Sequence, residues 1–361
     1  MIFTPTKRVR GVRLLLAVLL VLLAARSTVT ADATDTIRLG YYTGDEESLA
    51  AVSLYSEYLT AISVDVYRVQ GDGTIVGSDA LGVVPLAKSL GLRTYACIHN
   101  YNNDPAVAGF DASWAYAAIV THRDAVIDRV LGIAMDGGYD GVNVDLENLA
   151  CSGNLWADRV AFTGFIYDLS VRLHTAGLRL MISAPGKTED SECNDWTYPF
   201  DYGALGQYAD FLQLMTYDQN GPWSGPGPVA GVDWVEACLA YATSLVDPAK
   251  LLIGLPAYGY DWDLTASDAS NGSYVATSFA WTDVPTLLAK PNAEESWHRI
   301  ACVPSVRYSE DGHEHEAWYE NAESIRTKVA LIAEYGLGGL AMWSLGQEVE
   351  TFWQAVVGEM P

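Results

Sequence analysis

The chain has 361 residues, with 21 Lys and Arg against 45 Asp and Glu, so its formal net charge at pH 7 is −24. A chain this acidic is a poor candidate for binding nucleic acid or an anionic membrane surface, because both attract basic proteins. Apolar residues make up 50% of the sequence, which is enough for a large core, and the length suits one large domain.

The N-terminus has the order of a secretory signal peptide. Basic residues within positions 7–13 precede an apolar run at 14–25, and residues 29–31 provide a cleavage site. A membrane anchor is disfavoured, because this run is shorter than the about 17–25 residues that span a bilayer. Cleavage after Ala31 removes five basic residues and no acidic one, which leaves 330 residues with a charge of −29. We therefore expect residues 1–31 to be removed, residues 32–361 to be secreted to the exterior or the cell envelope, and no stable membrane insertion.

Short β-rich segments alternate with helical patterns along the rest of the chain. The eight predicted strands cover residues 36–43, 61–69, 92–99, 141–147, 178–184, 210–217, 251–257 and 339–345. Helices are clearest at 157–175, 232–245 and 321–335, and Gly177 and Gly336 follow two of them as C-terminal stops. Strand–helix alternation repeated eight times predicts an α/β fold, a (β/α)8 TIM barrel. An open doubly wound sheet is the alternative, but no glycine-rich loop follows the first strand.

Two further features concern the loops. Residues from about 260 to 318 are too long for an ordinary connection, and we expect a small α+β insertion between strands seven and eight. The five cysteines include Cys151 and Cys193, which follow strands four and five, so we expect these two to form a disulfide near the barrel mouth. No Cys or His spacing indicates a metal site, and neither a metal nor a cofactor is expected.

The fourth predicted strand carries an unusual polar row. Alternation points Asn143, Asp145 and Glu147 to one face and the intervening apolar residues to the other. Inside a barrel such a row is costly to bury, and it reaches the carboxyl end of the strand, where barrel enzymes have their active sites. An ionised Asp145 would raise the pKa of Glu147, and a carboxyl group that stays protonated near neutral pH can act as a general acid. A buried structural network or a cation site remains the alternative.

Residues 139–147 resemble the DGxDxDxE signature of glycoside hydrolase family 18, the chitinase-like (β/α)8 enzymes. Asp140, Gly141, Asp145 and Glu147 match the signature, and Asn143 stands where it has its middle Asp. This variant resembles a subgroup of spore-cortex-lytic and peptidoglycan N-acetylglucosaminidases. The substitution removes one inward carboxylate, which argues against proton sharing between positions 143 and 145.

Other segments agree with the resemblance, which runs from about residue 36 to residue 353. Residues 213–218 (QLMTYD) look like the family's MxYD strand, and 251–262 look like its seventh strand. Trp343 stands where the family has a tryptophan at the barrel floor. The expected substrate-binding residues are Trp343, Asn143, Met215, Gln213, Asp218, Tyr42 (or its neighbour Tyr41) and Tyr258.

The resemblance also implies a retaining, substrate-assisted mechanism. Glu147 would protonate the glycosidic oxygen and later act as base for water. The substrate's 2-acetamido carbonyl would attack the anomeric carbon, with Asp145 steadying the acetamido N–H and the positive charge. The Tyr217 hydroxyl would bond to the acetamido oxygen. The implied partner is a polysaccharide that contains N-acetylglucosamine, cleaved by a monomer.

Three alternatives differ in what they require. A non-catalytic lectin on the same barrel would usually lack the catalytic acid, whereas this chain has Glu147, Asp145 and Tyr217. A metal-dependent hydrolase needs histidines at strand ends, where only His99 stands. Among substrates, the Asn143 variant favours peptidoglycan, the charge of −29 disfavours an anionic bacterial wall, and chitin or chito-oligosaccharides remain the main alternative.

Overall fold

The computed structural model describes residues 36–360, and the expected signal peptide lies outside these described residues. Eight parallel strands pair in sequence order, and the eighth also pairs with the first, so the sheet closes. The TIM barrel predicted from strand–helix alternation is confirmed. The barrel strands β1–β8 are Ile37–Tyr42, Ala61–Val69, Arg93–His99, Gly141–Asp145, Arg179–Pro185, Phe211–Met215, Leu251–Pro256 and Gly339–Trp343.

Helices cover the outside of this sheet. In chain order α1–α10 are Glu46–Leu54, Val83–Ser89, Ala112–Tyr116, Arg123–Asp136, Leu155–Thr175, Tyr202–Tyr208, Val232–Thr243, Val284–Leu288, Ala322–Tyr335 and Glu350–Glu359. A π-helical turn, Ala117–Thr121, extends α3, and 3-10 turns occupy Pro248–Lys250 and Trp281–Asp283. Side-chain caps begin α5 and α9, since Asn154 accepts from the Ala157 N–H and Asn321 accepts from the Ser324 N–H. Gly177 and Gly336 follow α5 and α9 with positive φ, as expected. No helix among the described residues is long and apolar enough to cross a membrane.

Strand alternation divides the core into two layers. Val142 and Val144 of β4 join the large apolar cluster between sheet and helices, while Asn143 and Asp145 face the barrel interior. The interior itself holds a smaller apolar cluster that includes Leu39, Tyr95 and Met181. The polar row on β4 is therefore enclosed, and only its carboxyl end opens to the barrel mouth.

Two residues of the strand-four signature, Asp140 and Gly141, lie at the end of the barrel opposite the mouth and have a structural role. The Thr94 N–H donates to Asp140 Oδ2 over 2.8 Å, which joins β3 to the start of β4. A Cβ atom added at Gly141 would lie 2.6 Å from the Arg179 carbonyl oxygen, so the neighbouring strand leaves room only for glycine. These two residues set the register of β4.

The insertion between β7 and β8 begins at Tyr258, two residues before the predicted boundary. It is a five-stranded antiparallel sheet in the spatial order Ala276–Ala280, Tyr258–Asp263, His313–Trp318, Val303–Glu310 and Glu294–His298. Helix α8 lies between its second and third strands in the chain. A turn at residues 299–302 separates the strands Glu294–His298 and Val303–Glu310. The first strand carries Tyr258 and Tyr260 away from the end of β7.

The expected disulfide between Cys151 and Cys193 is wrong, because all five cysteines are free. The Cys151 thiol lies 3.1 Å from the Leu149 carbonyl oxygen and is half-buried, whereas Cys193 is exposed in the loop after β5. Both loops do leave carboxyl ends of barrel strands, as predicted. A disulfide needs Cβ atoms about 3.5–4.5 Å apart, a constraint that the order of the strands does not impose.

Candidate active site

A cleft of about 780 Å³ opens at the carboxyl ends of the barrel strands. Its size is in the range of small-molecule sites, about 300–1,000 Å³. Aromatic side chains and carboxylates line it together, which suits a sugar, since apolar ring faces and polar hydroxyl groups both need partners. The lining residues are Tyr41, Phe110, Asp145, Glu147, Pro185, Gly186, Asn194, Trp196, Thr197, Met215, Tyr217, Asp218, Trp223, Trp234, Tyr258 and Trp343.

Glu147 lies two residues beyond the end of β4 and is held there through its backbone. Its N–H donates to Asn100 Oδ1 over 2.9 Å, and Asn100 Nδ2 donates back to the Glu147 carbonyl over 2.8 Å. Asn148 follows with φ of 54°, a left-handed conformation that asparagine tolerates and that turns the chain away from the strand. The Glu147 side chain therefore projects from a fixed backbone, and the residue is only 8% exposed.

Burial and neighbouring carboxylates favour the protonated form of Glu147. Burial is the largest factor that raises its pKa well above the ordinary value, followed by the charges of Asp145, Asp218 and Asp65. Burial also raises the pKa of Asp145, with Asp65 adding to the effect and the Ser183 hydroxyl opposing it. A protonated carboxyl group at the wall of a cleft can donate a proton to a bound molecule.

Asn143 and Gln213 lie beneath the cleft and do not line it. Asn143 Nδ2 lies 3.0 Å from the Tyr41 hydroxyl and 3.1 Å from both Ser63 Oγ and Ser183 Oγ. The Tyr41 hydroxyl also lies 3.1 Å from Gln213 Oε1. Both amides were expected to bind substrate. Their strands do direct them inward, but they occupy a fully buried layer below Asp145, where they contact Tyr41 and do not reach the cleft.

β6 and the insertion provide the opposite wall. Tyr217 lies against Tyr258, with ring centroids 6.3 Å apart and planes at 74°. Asp218 accepts hydrogen bonds from the Tyr258 hydroxyl over 2.6 Å and from the Tyr260 hydroxyl over 3.1 Å. Burial raises the pKa of Tyr217 well above its ordinary value, and Asp145 and Glu147 raise it further, so its hydroxyl is a donor. Met215, Tyr217, Asp218 and Tyr258 all line the cleft, where the sequence placed them.

Trp343 lies at the end of β8 and lines the cleft beside Tyr41 of β1. Their ring centroids are 5.2 Å apart, and the Trp343–Ser344 peptide bond is cis. Tyr42 does not reach the cleft and is a correction to the expected site. Alternation along β1 directs Tyr41 into the barrel and Tyr42 into the apolar layer beneath the helices, where Tyr42 is completely buried.

Several cleft residues were missed in the sequence. Phe110, Trp196 and Trp234 come from loops or the start of a helix, where no periodicity indicates which side chains face the mouth. Asp65, which lies beside Asp145 and not at the cleft surface, was also missed, although its inward alternation with Ser63 is visible in the segment AISVDVYRV.

Asp65 and Cys97 form a compact cluster with Asp145, which lines the cleft. One carboxylate oxygen from each aspartate and the Cys97 Sγ all lie within 4.8 Å of one another. Metal binding would require the thiolate, but burial and the two aspartates raise the pKa of Cys97 well above its ordinary value. Cys97 therefore favours its thiol form, which is a poor metal ligand.

Comparison with known proteins identifies the family. The sequence model of glycosyl hydrolases family 18 matches residues 38–348. The uncharacterized glycosylase YvbX of Bacillus subtilis is 32% identical over 321 residues, which cover 88% of this chain and 90% of YvbX. The cortical fragment-lytic enzyme of Bacillus anthracis is 27% identical over 317 residues, 86% of this chain and 71% of that enzyme.

Solved structures agree with this result. A chitinase from Chromobacterium violaceum superposes with a TM-score of 0.82 at 32% identity and covers 90% of this chain and 99% of its own. The spore cortex-lytic enzyme SleL of Bacillus cereus superposes with a TM-score of 0.80 at 25% identity, over 90% of this chain and 74% of its own. The matched region includes the signature on β4, both walls of the cleft and Trp343. The chain belongs to glycoside hydrolase family 18 and is a glycoside hydrolase.

Proposed function

We propose that the protein is a retaining glycosidase that cleaves β-1,4 bonds in glycans containing N-acetylglucosamine, with Glu147 as the catalytic acid. The observation that carries this proposal is the enclosed Glu147 carboxyl group, kept protonated by burial and three carboxylates at a cleft lined by aromatic rings. An acid of this kind can protonate a leaving glycosidic oxygen near neutral pH.

The mechanism that fits these residues is substrate-assisted, which the family uses in place of a second carboxylate nucleophile. The bond from the anomeric carbon to the leaving oxygen breaks as Glu147 gives that oxygen its proton. The substrate's acetamido oxygen forms a bond to the anomeric carbon, and Asp145 stabilises the resulting positive charge. Glu147, now ionised, then removes a proton from the water that attacks the anomeric carbon, and the bond between that carbon and the acetamido oxygen breaks. The configuration at that carbon is retained after two inversions.

The cleft has room for more than one sugar unit. A second cavity of about 430 Å³ adjoins it and shares Gly186, Asn194, Thr197 and Trp234 with the first. Trp223 is 61% exposed at the cleft and offers a further ring face. A polymer chain lying across Trp343 could continue onto these surfaces, which favours chitin, chito-oligosaccharides or peptidoglycan over a single sugar.

Product analysis tests the proposal and separates the substrates. The mature protein and a Glu147→Gln variant would each be incubated with chito-oligosaccharides and with purified peptidoglycan, followed by mass spectrometry. We expect the wild type to release products that end in N-acetylglucosamine from at least one substrate, and the variant to release almost none. Proton NMR of the fresh product should show the β-anomer first. Initial formation of the α-anomer would contradict the retaining mechanism.

Removing the Tyr217 hydroxyl is expected to slow the reaction without unfolding the protein. In Tyr217→Phe, kcat should fall about 100-fold, because the acetamido oxygen loses the donor that orients it as it attacks. Tyr167→Phe is a matched control, since Tyr167 lies half-exposed on the outside of α5. Steady-state kinetics on the cleaved glycan measure the effect. Equal kcat values for the two variants would remove Tyr217 from the mechanism.

The expected export and oligomeric state belong to the same proposal. We infer a monomer secreted after cleavage following Ala31, because residues 1–31 have the basic, apolar and small-residue order of a signal peptide. N-terminal sequencing of the protein from the culture medium should begin at Asp32, and light scattering should give the mass of one chain. Retention of the full chain in the membrane fraction would contradict export.

A further inference from the structure

Asp65, in the far part of β2, reaches Asp145, which lines the cleft. The pairing of β2 with β3 is regular up to Val64 and shifts register before Tyr67, so Asp65 lies at a β-bulge. Bulges beside active sites redirect side chains. The Asp65 carboxylate is brought within 4.8 Å of both Asp145 and the Cys97 Sγ. Asp65 lies outside the motifs that resemble the family.

Asp65 and Asp145 each have a buried carboxylate oxygen without a hydrogen-bond donor among the described residues. Asp65 Oδ1 and Asp145 Oδ1 are both buried, and neither accepts a hydrogen bond from a protein donor among the described residues. Two ionised carboxylates at this separation in a buried site would repel each other strongly. One proton held between them removes the repulsion and gives one oxygen a donor, as in other carboxyl pairs that share a proton.

The surroundings of the pair are unequal. Burial raises the pKa of Asp65, but His99 Nε2, 3.9 Å from Asp65 Oδ1, and a hydrogen bond from the Cys97 thiol oppose that shift and favour the ionised form. Arg68 on the same strand lies close enough to influence His99. Asp145 has the Ser183 hydroxyl on one side and the carboxyl group of Glu147 on the other. In the resting site the charge is therefore better placed on Asp65 and the proton on Asp145.

The residue that precedes Asp145 on the inner face of β4 cannot take this proton. Asn143 is an amide, and its Nδ2 is directed at Tyr41, Ser63 and Ser183. An amide does not titrate in this range, so a proton that leaves Asp145 must go to another group. Asp65 is a carboxylate that the fold places beside Asp145, whereas the carboxyl group of Glu147 already has a role as acid and base.

We propose that Asp65 is a positioning residue that exchanges one proton with Asp145 during the reaction, an inference that rests on the proposed glycosidase function. As positive charge develops on the sugar, the O–H bond on Asp145 breaks and one forms on Asp65, which leaves Asp145 negative beside the cation. The proton returns when the intermediate is hydrolysed. One water molecule or a side-chain rotation spans the gap between the carboxyl groups.

The test compares Asp65→Asn with Glu57→Gln. Both variants remove one negative charge, but Glu57 is exposed in the connection that enters β2 at the opposite end of the barrel. On the cleaved glycan, kcat of Asp65→Asn should fall at least about 10-fold, because a positioned proton acceptor is lost. The alkaline limb of its pH profile should move to lower pH, because Asp65 no longer raises the pKa of Glu147 and Asp145. Glu57→Gln should change neither. Kinetics and a pH profile that match those of Glu57→Gln would overturn the proposal.

A second measurement needs neither activity nor a variant that folds. Carbon-13 NMR of aspartate carboxyl groups in the wild type should show Asp65 and Asp145 titrating together, with each inflection visible at both carbons. Independent single-step titrations would overturn the pair. If the wild type cleaves no glycan but the titrations are coupled, the proposed function fails while the proton pair stands. If it cleaves glycan and the titrations are independent, only the pair fails.

Discussion

Replacing Glu147 with Gln is expected to lower kcat by about 100- to 10,000-fold, the usual contribution of a positioned general acid. The side chain keeps its size and the backbone contacts with Asn100 are unaffected, so substrate binding should change little. The amide cannot give a proton to the leaving oxygen or take one from water. Steady-state kinetics on the cleaved glycan, with unfolding curves to show that the variant is folded, measure the effect.

The pH dependence provides an independent check on this assignment. The pKa of Glu147 is raised by burial first and by Asp145, Asp218 and Asp65 next. The acid form of Glu147 therefore persists to a higher pH than the acid form of an ordinary glutamate. Wild-type kcat/KM should begin to fall only when the pH rises above the usual pKa range of glutamate. The residual activity of Glu147→Gln should lack this limb. A glutamine variant that keeps wild-type rates, while Glu57→Gln behaves normally, would show that another group is the acid.

Replacing Lys328 with Met is expected to lower the free energy of unfolding by about 3–5 kcal/mol, the usual cost of leaving a buried charge without its partner. Lys328 Nζ lies 2.7 Å from Glu320 Oε2, and the two side chains are 0% and 1% exposed. Glu320 Oε1 has no hydrogen-bond partner among the described residues. Removal of the lysine on α9 would leave a fully enclosed carboxylate with only the Ser324 hydroxyl as a donor. Urea unfolding at neutral pH measures the loss.

A double variant separates the interaction from the loss of packing. Glu320→Leu with Lys328→Met removes both charges and should recover most of the stability, since apolar replacements for buried pairs are often neutral. Burial raises the pKa of Glu320, and loss of the lysine would raise it further. A folded-state pKa above the unfolded value means that stability falls as pH rises through that range. The deficit of Lys328→Met should therefore be smaller at pH 5 than at pH 8. A loss below about 1 kcal/mol at both values would contradict this account.

Local patterns were sufficient for the barrel, and together with the family resemblance they indicated about half of the residues that line the cleft. All eight strands form within a few residues of the predicted segments, because alternating or continuous apolar runs between helical patterns have few other arrangements. The parity of β4, β6 and β8 directed Asp145, Tyr217 and Trp343 correctly, since side chains on a strand can face only two ways. An inward-facing side chain at the carboxyl end of a barrel strand therefore lies at the barrel mouth.

The tertiary structure decided how deep each inward side chain lies in the barrel and which residues it contacts. Parity could not show that Asn143 and Gln213 are one layer below the cleft, because depth depends on how the neighbouring strands are staggered. At the end of β1, the sequence did not show which of two adjacent tyrosines faces the cleft. In the closed sheet, Tyr41 faces inward and Tyr42 faces outward. The absent disulfide and the aromatic residues from loops have the same explanation, since loop paths are not periodic.

By itself, the sequence determined the closed α/β architecture and the polar row on β4, because these depend on short-range periodicity and on residues within one strand, and the resemblance of its motifs indicated the family. The tertiary structure alone decided which charges meet. Asp65 and Asp145 are 80 residues apart in the chain, and only the closed sheet and the bulge in β2 bring their carboxyl groups within 4.8 Å. Electrostatic coupling depends on the distance between charged groups and on their burial, and the local sequence determines neither of these quantities.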